Sequence, residues 1–319
     1  MIHVPAIMSP VSKIKDRDSA RNKDNLLTRA MIIHGIRQFF IDRDYLEVET
    51  PIRIPAPAPE TYIDAVPSDD WFLHTSPELC MKRLLAAGYS KIFQITKCFR
   101  DKERGKHHLP EFTILEWYKT GIDYWEMMNE CEDLFLFISH YLGMGEIIRY
   151  RDMKIDLRKP WIRISVRDAF ECYSPLSLEK AMEDNRFDEM VACHIEPHLV
   201  CEKPVFLYDY PVSLGALARS KKDDPTVAER FEIYMGGLEL ANAFSELTDV
   251  DEQRARFTRE RAHRHELGQT TYPMPQIFLD ALHDMPDSAG IALGIDRMTM
   301  IFTGTDTIDD VVTFTPEKL

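Results

Sequence analysis

Two alternating stretches, KIFQITKCFR (91–100) and EFTILEWYK (111–119), flank a polar segment, DKERGKHHLP (101–110). Period-two alternation marks a strand, and a polar segment between two such runs predicts a hairpin. Side chains of a strand alternate between faces, so Phe112, Ile114, Glu116 and Tyr118 project together. Taken alone, Glu116 reads as a stray charge on a surface strand. An aromatic ring, a carboxylate and a phenol on one face are a less ordinary set, and Arg100 ends the neighbouring strand where it can meet an anion.

The rest of the chain supplies partners for that hairpin. Apolar residues recur at helical spacing from Asn25 to about Asp42 and from about Tyr124 to Tyr141. A strand-like run, Leu46 to Thr50, stops at Pro51, and the prolines of 55–59 demand a loop. Arg230 to Leu247 predicts two strands joined at Gly236-Gly237. A charged helix follows from Asp251 to Leu267, then a strand-to-helix unit from Ile291 to Phe302. Residues 142–205 mix short helical and irregular pieces and are expected to be an insertion within a catalytic domain spanning 23–319. Residues 1–22 are expected to be a flexible arm. Strands gathered at separated places with helices between them predict an α+β fold on an antiparallel sheet.

Composition narrows the function classes. A net charge of −14 on 319 residues weighs against a nucleic-acid binder, which needs a basic footprint. The six cysteines have no C-x-x-C or zinc-site spacing, which favours free thiols. No run approaches the ~20 apolar residues of a membrane span, and 1–25 lacks a signal-peptide core. A cytoplasmic location with no membrane partner is expected.

Two further segments carry chemistry. In FEIYMGGLELANAFSEL (231–247), Asn242, Phe244 and Glu246 share one strand face, while Glu232 and Glu239 flank the glycine turn. Two nearby carboxylates repel unless a cation joins them, and Mg²⁺ with oxygen ligands suits the pair. Glu239 has the wrong parity to share a face with Asn242 unless a bulge or twist intervenes. In AGIALGIDRMTMIF (289–302), Ala292 and Gly294 leave a strand face almost without side-chain volume, which admits a ligand close to the backbone. Arg297 follows at the start of a helix, near anion-binding amides. Neither a P-loop nor a dinucleotide-binding glycine fingerprint occurs. A nucleotide site must therefore rest on other groups: Arg100, Arg297 and a carboxylate-held metal.

These segments identify a resemblance. CFRDKERGKHHLPEFTILEWY is similar to motif 2 of class II aminoacyl-tRNA synthetases, GIALGIDRMTM to motif 3, and FFIDRDYLEVETPIRIP to motif 1, the homodimer-forming segment. TSPELCMKRL (75–84), PEFTILEWY (110–118) and ELANAFSEL (239–247) resemble the lysine pocket of lysyl-tRNA synthetases. The resemblance, over about 25–313, implies a class II catalytic domain with an antiparallel sheet flanked by helices, acting on ATP with Mg²⁺. It implies that Arg100 holds the α-phosphate and substrate carboxylate. Phe112 would stack on adenine, with Arg297 on the other face and near the γ-phosphate. Asp101, Lys102, Glu103, His108, Leu240 and Gly294 would complete the ATP site, and Glu232 and Glu239 would hold Mg²⁺. Glu246 and Tyr118 would take the side-chain ammonium of lysine, and Glu78 and Glu116 its other amine. Ser76, Pro77, Asn242, Phe244 and Ala292 would finish the pocket.

Two departures set the chain apart from lysyl-tRNA synthetases. Too few residues precede the first helix for an anticodon-binding domain, and Ala292 stands where those enzymes carry glycine. Both resemble the elongation factor P (R)-β-lysine ligases, truncated paralogues that modify a lysine of a translation factor. A methyl on the pocket floor crowds an α-ammonium and favours a β-amine, by only ~1–3 kcal/mol. The implied reaction is activation of (R)-β-lysine or lysine as an adenylate and transfer to elongation factor P. Its rivals are another acceptor, tRNA or a small amine, and a regulatory paralogue that only binds. Lys102 occupies the usual place of a motif 2 glutamate. Either a local bulge brings Glu103 in, or adenine is read by backbone and stacking. Leu109 likewise replaces an asparagine.

Overall fold

A computed structural model describes residues 22–215 and 217–319. The expected arm over 1–22 lies, apart from Asn22, outside the described residues. Helix α1 (Lys23–Ile41) leads to β1 (Leu46–Glu47), and a small sheet of β2 (Arg53–Ile54), β3 (Pro67–Ser68) and β4 (Trp71–Leu73) precedes α2 (Glu78–Ala86). The predicted hairpin follows as β5 (Lys91–Phe99) and β6 (Glu111–Thr120), then α3 (Tyr124–Tyr141). Residues 142–205 hold the β7 (Ile147–Tyr150) and β8 (Met153–Asp156) pair, β9 (Ile162–Ser165) and helices α4 (Val166–Tyr173), α5 (Leu178–Glu183) and α6 (Phe187–Met190). Next come β10 (Val205–Pro211), β11 (Val227–Met235), β12 (Leu238–Ser245), α7 (Val250–Glu266), α8 (Gln276–Leu282), β13 (Ser288–Gly294) and α9 (Ile295–Thr303).

Eight strands form the main sheet in the order β1-β5-β6-β13-β12-β11-β10-β9. Its pairings are antiparallel except at the two ends, where β1 runs parallel to β5 and β9 parallel to β10. The strand expected over 46–50 pairs only at Leu46 and Glu47, because Pro51 and the loop beyond it turn the chain away. β9 joins the main sheet at its edge. The helices after it build a second apolar cluster, with Phe170, Phe187 and Ile195 against Val205 and Leu207 of β10.

Alternation sorts the central strands into two functional faces. Leu115 and Trp117 of β6, Phe231 and Ile233 of β11, Ala243 of β12 and Ile291 and Leu293 of β13 enter the main core, covered by Ile36 and Phe40 of α1 and Met127, Cys131 and Phe135 of α3. The intervening residues Phe112, Ile114, Glu116, Tyr118, Glu232, Asn242, Phe244, Ala292 and Gly294 line an open cavity of about 610 Å³ on the opposite face. Helix α3 starts on a capping box: Asp123 Oδ1 accepts from the Trp125 and Glu126 amides, and Glu126 Oε2 accepts from the Asp123 amide. At the start of α9, Asp296 pairs with Arg29 at 2.5 Å and accepts from the Thr113 amide at 2.7 Å, which locks the first turn beside Arg297 to α1 and β6.

Candidate active site

One end of the cavity is built for positive charge. Glu116, on β6 and fully buried, accepts from Ser76 Oγ at 2.6 Å and from the Tyr118 hydroxyl at 2.9 Å. The same Ser76 Oγ accepts from the Glu78 amide at 3.0 Å and so ties the strand carboxylate to the start of α2. Four residues along that helix, Lys82 places its ammonium 2.5 Å from both Glu78 Oε1 and Glu246 Oε2, with Phe244 beneath it at 4.9 Å. Burial pushes the Glu116 carboxyl up to about 8, with Glu78 adding to the shift against the Ser76 and Tyr118 hydrogen bonds. Burial also carries Glu246 up to about 8, opposed by Lys82 and reinforced by Glu78. Burial alone would lower the Lys82 ammonium, but Glu246 and Glu78 together hold it above its ordinary value. Lysine therefore keeps its proton, and the surplus of carboxylates is what burial penalises. When all three acids ionise, they exceed the one ammonium by two charges.

This arrangement differs in detail from what the sequence suggested. Glu246 is not on the open cavity wall. It lies fully buried behind it, with Lys82 on one oxygen. Lys82 itself went unpredicted, since an i,i+4 Glu–Lys pair is the usual furniture of an exposed helix face. Gly290 was also missed, although alternation places it in one row with Ala292 and Gly294. A Cβ there would fall 2.2 Å from the Tyr118 ring and 2.4 Å from Glu246 Oε1, so this position tolerates only glycine while those side chains stay in place. Pro77 is buried at the start of α2 and is absent from the cavity wall.

The other end carries the arginines. Arg297 donates from Nη1 to the Glu239 carbonyl at 2.6 Å and from Nη2 to His108 Nε2 at 2.6 Å. Burial, then Arg297 and Arg100, push the His108 imidazole down to about 4, so it accepts as a neutral ring. The Arg100 guanidinium lies over the Phe112 ring at 5.0 Å and sits 3.7 Å from Glu103. Lys102 adopts φ +62°, which reverses the local alternation. Its ammonium turns outward to Asp101 at 3.1 Å while Glu103 faces Arg100. The backbone thus takes the first alternative, bringing Glu103 inward in place of Lys102. Asp101 stays off the cavity wall because its amide is spent on the Asp64 carbonyl at 2.7 Å and its carboxylate on Lys102.

Between the two ends stand Glu232 and Glu239. The β11–β12 turn has positive φ at both Gly236 and Gly237, which a two-residue hairpin of this hand requires. Ile233 pairs with Ala241 but Tyr234 pairs with Glu239, so Leu240 is bulged out of the register. That one extra residue resolves the parity conflict and puts Glu239 on the same face as Glu232 and Asn242. Glu232 accepts from Arg230 at 2.5 Å, Tyr210 at 2.7 Å and Tyr234 at 2.8 Å. Arg230 also donates to Asn242 at 3.0 Å. Glu239 is freer: its carboxylate meets only Arg297, at 3.5 Å, and burial followed by Glu232 raises its carboxyl. Arg230, two residues before Glu232 on the same strand face, was readable from alternation and was overlooked. Among the described residues, no group of three or more His, Cys, Asp or Glu side chains is placed to hold a metal.

Comparison with known proteins follows the same line. The family model for tRNA synthetases class II (D, K and N) matches residues 12–318. An elongation factor P–(R)-β-lysine ligase of Proteus mirabilis is 37% identical over 327 residues, spanning 95% of this chain and 98% of that protein. A namesake from Pectobacterium carotovorum subsp. carotovorum is 38% identical over 312 residues, 92% of this chain and 95% of its own. One from Salmonella gallinarum is 37% identical over 317 residues with the same shares. With its mixed sheet, its charged cavity and these relatives, the chain belongs to the class II tRNA synthetase family (D, K and N), in the group of the elongation factor P–(R)-β-lysine ligases.

Proposed function

We propose that the chain activates (R)-β-lysine, or lysine, with ATP as an aminoacyl-adenylate and transfers the acyl group to the ε-amine of a lysine of elongation factor P. The observation that carries this reading is the buried acidic end of the cavity. Glu78, Glu116 and Glu246 against Lys82 leave two negative charges, which the two ammonium groups of a diamino acid would neutralise. Without such a ligand the carboxylates are costly to bury. The names of the relatives support the acceptor, and membership of the class supports the use of ATP.

Adenylation asks little covalent chemistry of the protein, since the substrate carboxylate is already the nucleophile. Tyr118, Glu116 and Glu78 would orient the amines, with Ala292 on the floor favouring the β-isomer. Arg100 and Arg297 would steady the charge that develops on the phosphates. Phe112, now under Arg100, offers a face for adenine, and His108, Glu103, Leu240 and Gly294 border the same space. Glu239 and one oxygen of Glu232 are the groups suited to Mg²⁺, whose carboxylate repulsion a cation would relieve. When bound, Mg²⁺ supplies neutralisation of phosphate charge. Among the described residues no helix is long and apolar enough to cross a membrane, and the reading places the protein in the cytoplasm. Class membership also supports a homodimer through the segment after α1, where Leu46 and Ile52 are exposed. The acidic net charge disfavours tRNA as acceptor.

Pyrophosphate exchange tests the first half of the reaction. Exchange dependent on (R)-β-lysine, and weaker with α-lysine, is the expected result. No exchange with either amino acid would overturn the proposal.

A further inference from the structure

The second half of the reaction needs something the first does not. A lysine ε-amine is an ammonium near neutral pH, and it must shed a proton before it can attack. The acids already described are committed: Glu78, Glu116 and Glu246 to the amines of the activated substrate, Glu232 and Glu239 to the phosphate end. One further carboxylate faces the same cavity, that of Glu60.

Glu60 sits on the proline-rich loop between β2 and β3, and its main chain is unusually well held. Arg264, fully buried on α7, donates from Nη1 to the carbonyls of Glu60 at 2.7 Å, Thr61 at 3.2 Å and Ile63 at 3.1 Å. Its Nη2 donates to Asp64 at 2.6 Å. Thr61 in turn donates from its amide and hydroxyl to Glu260. The loop is thus clamped at the residue that points a carboxylate at the cavity, a pre-positioned side chain and not a loose surface acid. Among the described residues the Glu60 carboxylate has no hydrogen-bond or ion-pair partner of its own. The charges that face it come from four elements: Glu78 on α2, Arg100 at the end of β5, Arg230 on β11 and Glu260 on α7. It therefore stands between the amine-binding end and the phosphate-binding end, where the acyl carbon of an adenylate would lie.

We propose that Glu60 is the catalytic residue that takes the proton from the acceptor ammonium in the transfer step. This inference rests on the adenylate-forming reading above. One proton of the acceptor ammonium passes to a Glu60 carboxylate oxygen. The freed nitrogen lone pair forms the C–N bond at the acyl carbonyl carbon. The bond from that carbon to the phosphate oxygen breaks, AMP leaves with the electron pair, and the amide nitrogen releases its second proton to water. Burial, strengthened by Glu78 and opposed by Arg100, sets the Glu60 carboxyl at about 7. Such a group is ionised often enough to accept a proton and basic enough to keep it.

The test separates the two half-reactions in the full-length protein. Glu60→Gln should slow transfer of the acyl group to elongation factor P at least tenfold more than it slows pyrophosphate exchange, and Glu60→Asp should recover part of the loss. Hydroxylamine, which is largely unprotonated near neutral pH, needs no base. It should discharge the adenylate on the Gln variant nearly as fast as on the parent. The parent transfer rate should rise with pH through about 7, and the Gln variant should lack that rise. Equal loss of exchange and transfer, equal loss with hydroxylamine, or no loss at all would each overturn the assignment. Absence of exchange in the parent protein is a different result: it would overturn the adenylation reading itself.

Discussion

Lys82 is the residue on which the acidic pocket most depends. Its side chain is 1% exposed and bridges Glu78 and Glu246. Replacing it with methionine keeps the volume and strands two buried carboxylates, a class of change that costs about 3–5 kcal/mol. Denaturant unfolding of Lys82→Met should show a loss in that range, and a loss below about 1 kcal/mol would mean that the carboxylates are neutral in the parent. Glu116 gives the complementary reading through pH. A carboxyl raised from 4.5 to about 8 keeps its proton in the folded protein where the unfolded chain has released it. Unliganded stability should therefore fall as pH climbs through that window, and Glu116→Gln should flatten the fall. An unchanged slope in that variant would contradict the burial of an ionisable Glu116. These two residues were not equally legible. Glu116 announced itself by parity among apolar neighbours in a strand. Lys82 did not, because helical spacing alone cannot separate a buried ion pair from a solvated one. Lys102 was illegible for another reason: positive φ at a non-glycine residue leaves no compositional mark.

At the scale of elements, local alternation carried the argument far. It assigned β5 and β6 with their bounds almost in place and put Phe112, Ile114, Glu116 and Tyr118 on the cavity side. It also exposed the parity conflict at Glu239 that the Leu240 bulge resolves. What alternation could not supply were contacts between distant segments. The parallel pairing of β9 with β10 is one. Another is the 101–110 loop, which Arg104 pins to the end of the chain by donating to Asp309 at 2.9 Å and Glu317 at 2.8 Å. That loop carries Glu103 and His108 at the arginine end of the cavity. Exposed pairs contribute about 0.2–1 kcal/mol each, so Arg104→Ala should raise the KM for ATP about two- to tenfold while sparing that for the amino acid. Exchange kinetics varied in each substrate separate the two. A larger effect on the amino acid would show that the loop serves the other end of the cavity.

Across the whole molecule, one sheet divides the labour. Its core-facing residues hold α1 and α3, and its cavity-facing residues gather three acids with one lysine at one end and two arginines at the other. The spacing of charge along the cavity matches a substrate with two ammonium groups and a carboxylate to be joined to a phosphate. The fold class and the cavity's chemical character were legible because both follow from alternation within strands and from the resemblance of whole segments. The balance of charge was not, since it depends on Lys82 and Arg230 arriving from elements that look unremarkable in isolation. The central claim is transfer of a lysine-type acyl group to a protein amine. The most direct measurement is the mass of elongation factor P after incubation with the protein, ATP and (R)-β-lysine. The account predicts a gain of one lysyl residue at a single lysine. An unmodified factor, with exchange proceeding and tRNA or a small amine carrying the acyl group, would contradict it.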